Sequence, residues 1–124
     1  MAVKKIKVLI VEDDELNSDM LSQRLKRKGY DIILAVNGEE AIQIAKKKLP
    51  HIILMDMGLP ILDGWEASRQ LKADAATKHI PIIALTGHTT ATDRERSIEV
   101  GCEEYESKPV DFVSLIEKIE KLVK

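Results

Sequence analysis

Residues 51–60 read HIILMDMGLP. Residues 52–55 of that stretch are an unbroken apolar run of strand length, the pattern of a strand covered on both faces, and Gly58 and Pro60 bring it to a turn. Asp56 closes the run. A carboxylate at the end of a buried strand is costly to desolvate, so the residue asks what stands beside it.

Outward from this stretch, strand and helix patterns alternate. Residues 7–11, with Ile6, and residues 80–85 are apolar runs of the same kind. Residues 32–36 are a shorter candidate strand, and residues 103–107 are a polar one suited to a sheet edge. Between them lie helix signals. After Asp14, the apolar Leu16, Met20, Leu21 and Leu25 recur at helical spacing, and Arg24, Lys26, Arg27 and Lys28 crowd the last turn before Gly29. Asn37 with Glu40, Asp63 with Glu66, and Thr92 with Glu95 each set a cap residue three positions before a glutamate, the spacing of a capping box. Phe112, Leu115, Ile116, Ile119, Leu122 and Val123 form an amphipathic stripe for the last helix. Five strands alternating with five helices predict an α/β fold, a parallel sheet with helices on both faces, as one domain over residues 1–124 with nothing left for a linker or an output domain.

Composition narrows the classes. A chain of 124 residues, 44% hydrophobic and 32% charged, fits one soluble globular domain and excludes a disordered chain. A net charge of −2 with no basic run argues against direct nucleic-acid binding. Cys102 is the single cysteine, which excludes an internal disulfide or a thiolate metal cluster and fits a reducing cytoplasm. Glu12 ends the N-terminal apolar run before it reaches the length of an export signal, and no membrane segment is expected.

In open parallel sheets ligands bind beyond the carboxyl ends of the strands. Those ends carry Glu12, Asp13 and Asp14, then Asp56, Thr86 and Lys108. Each has a bland explanation alone: Asp13, Asp14 and Glu15 as helix caps, Asp56 as a turn starter, Thr86 as a loop threonine before Gly87, Lys108 as a solvated lysine. Their convergence on one crevice is what bland explanations leave unaccounted for. Carboxylates held a few Å apart repel, and each is expected to have a raised pKa unless a cation neutralises the group. With oxygen donors only, and no Cys or His at ligand spacing, the cation is a hard one, and Mg²⁺ suits carboxylates with water and phosphate. Mg²⁺ points in turn to phosphoryl transfer with Asp56 as nucleophile, Lys108 helping to cancel the repulsion between anions.

Four segments in order, VLIVEDDELN (8–17), LMDMGLPILDGWE (54–66), ALTGH (84–88) and GCEEYESKPV (101–110), make the chain resemble the receiver domains of two-component response regulators over essentially its whole length. The resemblance implies a flavodoxin-like, doubly wound five-stranded parallel sheet in the order 2-1-3-4-5. It implies a phosphorelay in which Asp56 takes a phosphoryl group from a phosphohistidine on a sensor histidine kinase or a histidine phosphotransfer protein. Asp13 would then ligate Mg²⁺ directly, Glu12 through water, Asp56 by its carboxylate and Gly58 by its backbone carbonyl. Thr86 would hydrogen-bond the phosphoryl group, Lys108 would pair with it, and Tyr105 would be the aromatic switch that follows Thr86. The Lys108–Pro109 bond resembles one that is cis in the family, which would aim the lysine, and Gly58 and His88 match positions that tune phosphoaspartate hydrolysis.

Residues 92–100 have only Ile98 and Val100 as strongly apolar members, so the fourth helix is expected to be weakly anchored. With the fifth strand, Tyr105 and the fifth helix, it would form the face a downstream protein reads. The expected function is that of a stand-alone regulator that catalyses its own phosphorylation and dephosphorylation without being a turnover enzyme. Rival classes meet specific obstacles: EDDE would repel a flavin phosphate, Gly58 stands where similar phosphohydrolases place a second aspartate, and no GxxxxGK motif exists. The alternative that survives is a receiver-like module that works without phosphorylation. Trp65 and Cys102 read as structural, His88 as a loop residue, and His51 and His79 as lying outside any phosphohistidine pattern.

Overall fold

A computed structural model of the chain describes residues 5–87 and 91–123. Its elements alternate as β1 Lys7–Val11, α1 Glu15–Arg27, β2 Asp31–Ala35, α2 Gly38–Lys48, β3 Ile52–Asp56, α3 Gly64–Ala73, β4 Ile82–Thr86, α4 Ala91–Glu99, β5 Glu104–Ser107 and α5 Phe112–Val123. All pairings are parallel, in the order β2-β1-β3-β4-β5, as expected.

The continuous apolar character of β1, β3 and β4 follows from burial on both sides. Leu9, Val11, Ile53, Met55, Ile82 and Ala84 face one core, closed by Ala41 and Ala45 of α2 and Ala67 and Leu71 of α3. Their neighbours Val8, Ile10, Ile52, Leu54, Ile83 and Leu85 face the other, closed by Leu21 and Leu25 of α1 and Leu115 and Ile119 of α5. The edges differ. β5 is polar, with Glu106 buried under Lys118 of α5 at 2.7 Å and Glu104 paired to Lys121 at 2.9 Å. Among the described residues no helix is long and apolar enough to cross a membrane.

Three helix starts are capped as the sequence predicts: the Asp14 carboxylate accepts from the Leu16 and Asn17 amides at 3.0 and 3.3 Å, Asn37 from Glu40 at 2.8 Å, and Asp63 from Glu66 at 2.9 Å. Neither predicted box closes in full: Glu40 accepts from the Val36 amide instead, and Glu66 turns to Arg69 and Gln70. Thr92 is not a cap at all, because α4 begins at Ala91 and places it inside the helix. β4 begins at Ile82 rather than residue 80: Pro81 has no amide proton, and the Ile80 amide donates to the Thr77 carbonyl in a turn. β2 ends at Ala35, before Val36, and the Lys108–Pro109 bond is cis.

In α1 the predicted stripe is only half right. Leu21 and Leu25 are buried beside Ser18 and Ser22, whereas Leu16 and Met20 are 79% and 61% exposed. Met20 lies about 100° around the helix from Leu21, which carries it off the inward arc. Gly64 matters for the site. A Cβ there would lie 2.2 Å from the Asp56 carbonyl oxygen, so only glycine lets α3 start against the end of β3.

Leu25→Ala is expected to lower unfolding free energy by roughly 2–5 kcal/mol, and Leu16→Ala to change it by less than about 0.5 kcal/mol. Urea denaturation of the two variants checks this, and equal losses would overturn the assignment of the inward face.

Candidate functional site

Parallel register sets the strand ends side by side. Val11 pairs with Met55, so Glu12 and Asp56, each one residue further on, leave the sheet together. Asp56 pairs with Leu85, which brings Thr86 next to that point. The Lys108 amide donates to the Thr86 carbonyl at 2.8 Å and extends the β4–β5 ladder by a rung, so the lysine is launched from the same edge. Its ammonium lies 2.9 Å from Asp56 Oδ2 and 3.1 Å from Glu12 Oε1. That is the neighbour the buried carboxylate requires: Asp56 is 6% exposed and Glu12 3%. Backbone amides complete the contacts, Gly58 donating to Asp56 Oδ1 at 3.0 Å and Asp14 to Glu12 Oε2 at 3.2 Å.

One ammonium between two buried acids offsets only one negative charge, and the acids respond differently. Burial, together with a hydrogen bond to Asp56, pushes the Glu12 carboxyl up to about 7. Burial also opposes ionisation of Asp56, but hydrogen bonds from Glu12, Lys108 and the Gly58 amide hold its carboxyl below the usual range. Burial works against the charge of Lys108, yet its contacts with Asp56 and Glu12 hold its pKa above the ordinary lysine value. Without a bound cation each carboxylate is expected to be raised; Glu12 is raised but Asp56 is lowered, because the hydrogen bond between them raises the first and lowers the second while Lys108 lowers both.

Asp13 is exposed at the mouth of this pair, and Glu12, Asp13 and Asp56 each bring a carboxylate oxygen within 4.8 Å of the others. The donors are all oxygen, one side is open to solvent, and the set fits a hard divalent cation such as Mg²⁺. Gly58 borders the same space, contributing backbone only.

A cavity of about 430 Å³ opens over Asp56, with Gly58, Thr86 and Lys108 in its lining. Trp65 of α3 and Arg96 of α4 complete its wall, with the Arg96 guanidinium 4.5 Å from the indole centroid. Trp65 thus has a place at the site that a purely structural reading denies it, and Arg96 and Asp93, which also lines the cavity, carry no motif of their own. Their spacing of three on the fourth helix was the available signal. A second cavity of about 450 Å³ lies between α1 and the start of α5, lined by Met20, Leu21, Arg24 and Phe112 and, toward the site, by Glu12 and Lys108.

Tyr105 stands outside the lining of the cavity over Asp56, gripped from two helices. The Arg94 Nε donates to its hydroxyl at 3.1 Å with the guanidinium 5.0 Å over the ring, and the Lys118 ammonium lies 5.5 Å from the ring centroid and donates to the Tyr105 carbonyl at 2.7 Å. His51 Nδ1 accepts from the Lys7 amide at 2.9 Å, a structural task. Burial pushes the Cys102 thiol up to about 11, which leaves it unreactive in the core. His88 lies outside the described residues.

The family described as the response regulator receiver domain matches residues 8–120. The polar-differentiation response regulator DivK of Brucella anthropi is 42% identical over 112 residues, which cover 90% of this chain and 91% of that protein. The receiver domain of the sensor histidine kinase PA1611 from Pseudomonas aeruginosa PAO1, solved with a magnesium ion coordinated in its active site cleft, superposes with a TM-score of 0.89 at 32% identity, over 97% of this chain and 98% of that one. A chain of the co-crystal of the Saccharomyces cerevisiae histidine phosphotransfer protein Ypd1 with the receiver domain of its response regulator Ssk1 superposes with a TM-score of 0.89 at 33% identity, over 98% of this chain and 91% of that one. With the family's pattern running from the first strand into the last helix, and acids and a lysine gathered at the strand ends, the chain belongs to the response regulator receiver domains, components of phosphorelay signalling.

Proposed function

We propose that this chain takes a phosphoryl group from a phosphohistidine onto Asp56 in a Mg²⁺-dependent reaction, and that the modified form changes its protein binding. The observation that carries this reading is the Lys108 ammonium 2.9 Å from Asp56 Oδ2 at the floor of an open cavity. With the hydrogen bonds from Glu12 and the Gly58 amide, it favours the ionised and so nucleophilic form of Asp56 where burial opposes that charge. In the transfer an Asp56 oxygen forms the new O–P bond, the N–P bond of the phosphohistidine breaks, and the imidazole nitrogen keeps the bonding pair and takes a proton. Lys108 stays with the transferred group, and the Thr86 hydroxyl, in the cavity lining, donates to it. Glu12, Asp13, Asp56 and the Gly58 carbonyl would hold Mg²⁺, which when bound cancels repulsion between the incoming phosphoryl oxygens and the acids. The magnesium in the PA1611 cleft supports Mg²⁺ as the ion, and the Ypd1 co-crystal supports a histidine phosphotransfer protein as a partner, with a sensor histidine kinase as the other donor of the same chemistry. The chain acts once on itself and is not a turnover enzyme.

The output reading rests on α4. Among its described residues only Ser97 is buried and Ile98 is 67% exposed, so little apolar packing holds it. Tyr105, gripped by Arg94 and Lys118, ties it to β5 and α5. We assign this face, α4 with β5 and α5, to the downstream protein, with Thr86 and Tyr105 as the switch pair.

Acetyl phosphate with Mg²⁺ is expected to add one phosphoryl group to the wild-type protein by intact mass, and Asp56→Asn to abolish the addition; an Asn variant modified at the wild-type rate refutes the assignment. Mg²⁺ binding should also depend on pH. Glu12 holds its proton up to about 7, well above its ordinary 4.5, and must release it to serve the metal. Affinity should therefore rise about tenfold from pH 6 to pH 8 and level off above. By the same sign, the metal-free protein loses the contribution of Glu12 to stability as pH climbs from 4.5 to about 7. Calorimetric titration showing equal affinity at both pH values would remove the proton from Glu12.

A further inference from the structure

The wall of the cavity over Asp56 contains a cation that the reaction described so far does not use. Arg96 extends from α4 and stacks its guanidinium 4.5 Å from the centroid of Trp65, the single tryptophan of the chain. Among the described residues it pairs with no carboxylate, and both side chains line the same cavity as Asp56, Thr86 and Lys108. Stacking on an aromatic face leaves the edge of a guanidinium open and limits the rotamers it must give up to bind an anion.

Charge in the cavity explains why such a group is needed. Lys108 is already divided between Asp56 and Glu12, at 2.9 and 3.1 Å. A phosphoryl group brings roughly two negative charges and three strong acceptor oxygens into that space. Asp93, on the same wall, adds an opposing carboxylate. A bound divalent ion on the Glu12 and Asp13 side meets part of this demand, and the α4 side of the cavity is left to Arg96.

We propose that Arg96 is a further phosphoryl-binding residue, parked on Trp65 in the unmodified protein and drawn onto the phosphoryl oxygens when Asp56 is modified. The move gives α4 its own attractive contact with the modified site, independent of Tyr105. The two ties lie on different sides of the helix: Arg94 grips Tyr105 while Arg96 covers Trp65, and residues two apart are about 200° around an α-helix. Motion of α4 toward the phosphoryl group thus changes both contacts at once. Because α4 buries Ser97 and no large apolar side chain, little packing resists it.

This inference rests on Asp56 as the phosphoacceptor, and its test separates the two. Beryllofluoride is titrated in the presence of Mg²⁺ into the wild type, Arg96→Ala and Arg96→Lys, with Trp65 fluorescence and Mg²⁺ affinity both recorded. The wild type should bind it with a change in Trp65 emission. Arg96→Ala should bind about tenfold more weakly and lose most of that change, with Mg²⁺ affinity kept, and Arg96→Lys should recover part of the affinity. Equal beryllofluoride affinity in wild type and Arg96→Ala overturns the role of Arg96 and leaves Asp56 untouched. A parallel fall in Mg²⁺ affinity overturns it too, since Arg96 would then be shaping the fold. A wild type that neither binds beryllofluoride nor is modified by acetyl phosphate overturns the reading of Asp56 itself.

Discussion

One ammonium reaching two acids is the contact on which the site depends. Lys108 comes from the end of the edge strand β5, Asp56 from central β3 and Glu12 from β1, so their meeting at 2.9 and 3.1 Å requires β1, β3, β4 and β5 to be parallel and in register. Two acids at 6% and 3% exposure would be prohibitive without that charge. A single positive charge shared by two acids also sets the chemistry, since burial raises the pKa of both and the hydrogen bond between them favours the charge of Asp56 over that of Glu12. Asp56 is held below the usual carboxylate range and Glu12 is pushed up to about 7.

The remaining architecture serves that meeting. Apolar cores on both faces hold the central strands as a rigid platform, and the absence of a Cβ at Gly64 lets α3 begin against the Asp56 carbonyl. This brings Trp65 to the rim. Asp14 starts α1 three residues after β1, which keeps that loop short, and Asp63 starts α3 at the end of the longer connection over residues 57–63. The arrangement sets charge chemistry over a base packed on both faces, with α4 as its least packed wall.

Much of this could be read from the residues alone, and the boundary of what could be read has physical causes. Runs such as residues 52–55 identify central strands because burial on both faces removes any other pattern, and Asn37 and Asp63 identify helix starts because a side-chain acceptor three residues from an amide has one geometry open to it. Thr92 failed where the helix had already begun at Ala91. Leu16 and Met20 failed because apolar character does not say which arc of a helix faces the sheet, and two serines took the inward places. Trp65 and Arg96 stayed hidden for another reason. They share a cavity with Asp56 only in space, from α3 and α4, and that cavity's walls lie tens of residues apart in sequence.

Magnitudes favour α4 as the wall that the proposed modification moves. Reversing a two-state preference from about 1:99 to 99:1 takes a differential of roughly 5.5 kcal/mol. Withdrawing a single large apolar side chain from a core costs roughly 1.5–3 kcal/mol, so a helix anchored by two of them absorbs most of that differential before any output is made. α5, with Leu115 and Ile119 buried and Lys118 and Lys121 paired to β5, is such a helix, and α1, with Leu21 and Leu25, is another. α4 buries only Ser97 among its residues, and its aromatic contacts run through Arg94 and Arg96, side chains whose charges respond to a new anion more strongly than apolar packing does. The phosphoryl charge proposed for Asp56 therefore acts on the one wall of its cavity that electrostatics of a few kcal/mol can shift, while the strands that present the nucleophile stay where their cores hold them.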